Sequence, residues 1–129
     1  MGISPDVEAQ LGRLRLGDRP EDALCDLRCL GPECLPDLFH ELNGAMNPDY
    51  RRALIRVIWE FRDQSAVPVL LKALDDTSDE VCLAALDGLV TISGKAAIEG
   101  MRAAENRQEK GTPRRAWVEE AIAQAADAT

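Results

Sequence analysis

Apolar residues along the chain recur three and four positions apart, and no stretch alternates singly over the length of a strand. That is the period of a helix face rather than of a pleated strand. In "NPDYRRALIRVIWEFRDQS" one face carries Tyr50, Leu54, Ile58 and Phe61. Thirty-one residues later, "SDEVCLAALDGLVTISG" places Val81, Ala85, Leu89 and Ile92 at the same spacing, and thirty-one residues earlier Ala23, Leu27 and Leu30 fit it. A second helical pattern follows each of these after a short break, over 32–43, 65–74 and 95–106.

The second helices repeat almost as a phrase. "CLPDLFHEL" at 34–42 returns as "AVPVLLKAL" at 66–74, with Pro third, Leu fifth and Leu ninth. The spacing predicts that Leu38, Leu42, Leu70 and Leu74 are buried between units, and that Pro36 and Pro68 sit in a first turn, where no internal hydrogen bond is lost. Pro48 with Asp49, and Ser78 with Asp79, read as helix starts. Gly31, Gly44, Gly94 and Gly111 read as left-handed helix ends.

One helical hairpin therefore recurs. A lone hairpin cannot bury its apolar face, whereas stacked copies bury it against each other. The expected fold is all-α: a right-handed α-solenoid of stacked antiparallel helical hairpins forming one domain. An N-terminal capping helix is expected at about 4–17, repeats at about 19–46, 47–77 and 78–109, and a C-terminal capping helix at about 112–127, where "TPRRAWVEEAIAQ" repeats the "RRA" of 51–53.

Residues 51–79 resemble a HEAT-like repeat of the short type found in phycobilisome lyases, of the form V-R-x-x-A-x-x-x-L followed by A-v-P-x-L-i-x-a-L-x-D. The matching positions are Arg51, Leu54, Ile58, Phe61, Ala66, Val67, Pro68, Leu70, Leu74 and Asp76. The next copy keeps Val81, Ala85, Leu89, Ile92, Ala97, Ile98 and Met101, and departs at Cys82, Glu99 and Glu105. The resemblance implies the solenoid, with the second helices lining its concave face. It implies little about function, because such repeats serve scaffolds, lyases, hydroxylases and inhibitors.

Composition narrows the choice. The chain has 129 residues with 46% hydrophobic and 4% aromatic content, so its core rests on aliphatic side chains. Its formal net charge is −8 and its pI about 4.6. Such acidity argues against nucleic acid, which is bound by displacing counterions from phosphate with a basic face, and against an anionic membrane surface. It fits a basic protein partner. The polar start "MGISPDVEAQLGRLRLGDRPED" has no apolar signal core, and no run approaches membrane-spanning length; a cytoplasmic address is expected.

No nucleophile–base pair or phosphate-cradling loop stands out, and no catalytic residue or cofactor is expected. His40 precedes Glu41, and some di-iron hydroxylases built on these repeats bind metal through His-Glu pairs, but one pair does not make such a site and no metal is expected. Cys25 and Cys29, four apart, either lie beneath the helix at 5–16 or sit at a surface, as a partner contact or a redox or attachment site, and Cys34 is expected in the core. Trp59 replaces a small residue of the repeat, so it is either a partner contact or packing over the neighbouring unit; Trp117, in register with Leu54, is expected to close the stack. On the second helices, Asp37, Val69 and Gly100 share a column, as do Phe39, Leu71 and Arg102, and His40, Lys72 and Ala103. Partner-binding candidates are thus Trp59, Asp37, Phe39, His40, Glu41, Val69, Leu71, Lys72 and Arg102, with Gly100 leaving room for a partner. The function expected is a non-catalytic protein-interaction module, an adaptor or stoichiometric inhibitor of a basic protein. A chromophore lyase and a structural repeat protein associating through its terminal helices are the alternatives.

Overall fold

A computed structural model describes residues 5–17 and 19–128; the start of the expected capping helix at residue 4 and the opening "MGIS" lie outside them. Among the described residues there are eight α-helices and no strand: α1 (Pro5–Leu16), α2 (Pro20–Leu30), α3 (Leu35–Gly44), α4 (Pro48–Glu60), α5 (Val67–Ala73), α6 (Asp79–Ile92), α7 (Lys95–Arg107) and α8 (Pro113–Ala128). Short 3-10 turns at Pro32–Cys34 and Gln64–Ala66 lead into α3 and α5.

The helices form an α-solenoid of two layers. The first helices α2, α4, α6 and α8 pack side by side, and the second helices stand behind them, with α3 on α4, α5 on α6 and α7 on α8. Each second helix thus rests on the first helix of the next unit, which is where the paired leucines go. Leu38, Leu70 and Leu74 are buried as expected, while Leu42 is only half-buried. At the N-terminal end α1 leans on α2 through Val7, Leu11 and Leu14.

Local chemistry corrects the expected helix ends. Asn47, not Asp49, caps α4: its Oδ1 accepts from the N–H of Asp49 at 2.8 Å and of Tyr50 at 3.2 Å, with Pro48 in the first turn. Ser78 caps α6 as expected, accepting from Val81 N–H. Gly31, Gly94 and Gly111 take positive φ, but Gly44 is the last residue of α3 and the chain leaves through extended Ala45.

Of the two places open to Cys25 and Cys29, the surface is the one they take. Both thiols are exposed, because α1 packs on the α2 face carrying Ala23, Leu24 and Leu27 and leaves the cysteine face open. Cys34 is buried, as expected, and so is Cys82.

Candidate functional site

Two ion-pair networks fix the second-helix face. Arg51 forks onto Asp76, with Nε–Oδ2 at 2.8 Å and the second nitrogen to Oδ1 at 2.9 Å, and also donates to the Met46 carbonyl at 2.8 Å. This two-point geometry is the stronger form of a guanidinium–carboxylate contact. Burial alone would push the Asp76 carboxyl up; the hydrogen bonds from Arg51 and from Ser78 N–H outweigh it and hold the group below its ordinary value. The pair ties the start of α4 to the chain after α5. The second network centres on Glu41, which accepts from the Tyr50 hydroxyl at 2.7 Å and from Arg15 Nε at 3.3 Å. Burial, and then that hydrogen bond, push the Tyr50 hydroxyl pKa up. Glu41 therefore fastens α1, α3 and α4 together and is not a free surface charge.

Between α3 and α5 lies a cleft of about 450 Å³. Its walls are Leu42, Ala45, Val69 and Ala73, buried Ile55 and the Arg51–Asp76 pair sit beneath, and Lys72 and Asp75 stand at the rim. The two helices make almost no direct contact, whereas α5 and α7 pack together. Leu71 explains the second case. A Cβ on Gly100 would overlap the Leu71 side chain, so the missing side chain of Gly100 admits Leu71 from α5. Gly100 thus serves internal packing, not the approach of a partner. The equivalent pair one unit earlier is Phe39 and Val69, where both positions carry bulk, and α3 and α5 stay apart.

The predicted partner residues divide accordingly. Val69 and Lys72 line the cleft. Leu71 and Phe39 are half-buried and packed on the core. Asp37 is half-buried with no ion pair among the described residues, and His40 and Arg102 are exposed elsewhere on the second helices. Trp59 belongs to the other face. It is half-buried on α4, and an added Cβ on Gly88 of α6 would stand 2.7 Å from its Cβ and Cγ, so the root of the ring packs over the neighbouring unit. Trp117 is half-buried on α8. Ala45 and Ala73 were not singled out from sequence, and Leu42 only as a core leucine; the pairing of bulk at Phe39 and Val69 is the signal that would have pointed to the cleft.

Among the described residues, no three His, Cys, Asp or Glu side chains come together in a way that could hold a metal ion, and no helix is long and apolar enough to cross a membrane. A family model of HEAT repeats matches residues 35–123. The chain belongs to the HEAT-repeat family. HEAT repeats generally mediate protein–protein interaction, and a stack of them offers an extended surface along its second helices. No characterised protein and no solved structure matches this HEAT-repeat chain.

Proposed function

We propose that the chain is a non-catalytic protein-interaction module of the cytoplasm, a small adaptor or stoichiometric inhibitor of a basic protein, and that it holds its partner on the second-helix face. The α3–α5 cleft carries this proposal. It is an apolar-walled opening with a fixed ion pair below, suited to desolvating one apolar side chain of a partner, and such central anchors dominate binding energy. The net charge of −8 supports a basic partner, and Asp37, with no ion pair among the described residues, supports a role for that residue in steering it. Four free thiols favour a reducing compartment. No aromatic side chain lines the cleft, which disfavours stacking of a conjugated chromophore. Of the large exposed hydrophobics among the described residues, Leu16, Leu30, Met46 and Leu83, none belongs to α8 itself, which gives self-association through that helix little support.

Two cleft variants test the proposal. Ala73→Phe fills the opening and Val69→Lys places a cation on its wall. Each should weaken capture of a stoichiometric partner about thirtyfold, the loss expected for an anchor contributing ~2 kcal/mol, with unchanged melting. Parent-like binding by both variants would refute it.

A further inference from the structure

On the opposite face the first helices form two adjoining grooves. The larger, about 560 Å³, runs across α2, α4 and α6. Leu24, Ala53, Trp59 and Ala84 supply its apolar surface. Four carboxylates border it (Glu21, Asp49, Glu60 and Asp87) against the guanidiniums of Arg52 and Arg56. Arg56 is already shared between Glu21 and Glu60, and Arg52 pairs with Glu80. The second groove, about 180 Å³, lies between α6 and α8. Leu83, Val90 and Trp117 line it with Asp87 and Glu120, and it contains no base. Asp87 borders both grooves, and among the described residues neither Asp49 nor Asp87 has an ion pair, although both are exposed.

We infer that this face is a second docking surface, for an extended basic segment of a partner protein that lays one Lys or Arg side chain in each groove. A half-buried indole beside unpaired carboxylates suits a long cationic side chain: the aliphatic stem covers the apolar wall while the charge meets both the ring face and the carboxylates. Helices in one layer stand ~8–10 Å apart, so grooves one to two spacings apart are bridged by about two to six residues of extended chain at ~3.3 Å each. The inference rests on the chain being a protein-binding module and adds a contact on the face away from the cleft, which makes it an adaptor able to hold two segments at once.

The chain has two tryptophans, so two indole N–H resonances report the two grooves separately. The probe is a Gly/Ser-rich peptide with two lysines about four residues apart, spanning the grooves at extended-chain length. Both indole signals should shift on titration. Asp87→Asn should weaken binding about fivefold, the scale of an exposed charge contact, while Glu33→Gln, an exposed acid that lines neither groove, should change nothing. The inference is overturned if either indole is unmoved, or if Glu33→Gln weakens binding as much as Asp87→Asn, which would mean general attraction to an acidic chain. Spermidine binding as tightly as the peptide would overturn it in favour of a polyamine. Because the probe needs no cleft, its failure and the failure of the cleft variants are separate results.

Discussion

Leu42 and Leu74 hold the same place in the repeated phrase, yet truncating them should have different costs. Leu74 is 1% exposed. Replacing it with alanine removes three buried carbons, about 2.4 kcal/mol of transfer energy at ~0.8 kcal/mol each, and leaves an enclosed void. Together these give about 3–4 kcal/mol, inside the range for buried leucines. Leu42 is half-buried and opens on the α3–α5 cleft. Leu42→Ala widens a space that already admits water, so the void term falls away and only part of the transfer term remains, about 1–1.5 kcal/mol. The gap of about 2 kcal/mol is measurable by urea titration at constant slope. In melting temperature it amounts to roughly 7 °C for a domain of this length. Equal costs for the two variants, within about 0.5 kcal/mol, the scatter expected of independent sites, would show that the cleft is closed in solution and that the account of α3 and α5 is wrong.

Thiol labelling of the native protein should modify Cys25 and Cys29 rapidly and leave Cys34 and Cys82, which are buried and whose thiol pKa values burial pushes up, until the chain unfolds; four equally fast thiols would contradict the packing. Acid titration gives a signed test of the Arg51–Asp76 fork. Its folded carboxyl lies below the unfolded value near ~3.9, so its contribution is present above that pH and lost as the pH falls through the folded value. Asp76→Asn should therefore flatten the acid limb of stability below about pH 4 relative to the parent.

What was legible from sequence was the set of contacts that periodicity controls. Tyr50, Leu54 and Ile58 declare the inner face of α4, and Val81, Ala85 and Leu89 that of α6, because those positions must meet the core once the helix period is set. The spacing between neighbouring second helices was not legible by the same means. It depends on which side chains meet at one crossing: Leu71 against a residue with no Cβ draws α5 and α7 together, and Phe39 with Val69 in the equivalent places leaves α3 and α5 parted. Register alone treats these interfaces as copies. Whether Cys25 and Cys29 were covered stayed open for a related reason, since the packing of α1 on α2 follows Leu11 and Leu14 meeting Ala23, Leu24 and Leu27, and no repeat partner exists to predict it. Glu41 looked like a free charge because its partners Tyr50 and Arg15 come from other helices, 9 and 26 residues away in sequence.

A partner held over the gap between α3 and α5 must shield the amides that line it. Amide hydrogen exchange on the chain alone and in complex with a stoichiometric partner tests it most directly. New protection is expected, centred on the end of α3 around Leu42–Ala45 and along α5 from Val69 to Ala73, and absent in the Ala73→Phe variant. A bound partner that leaves those amides unprotected while slowing exchange elsewhere would contradict it.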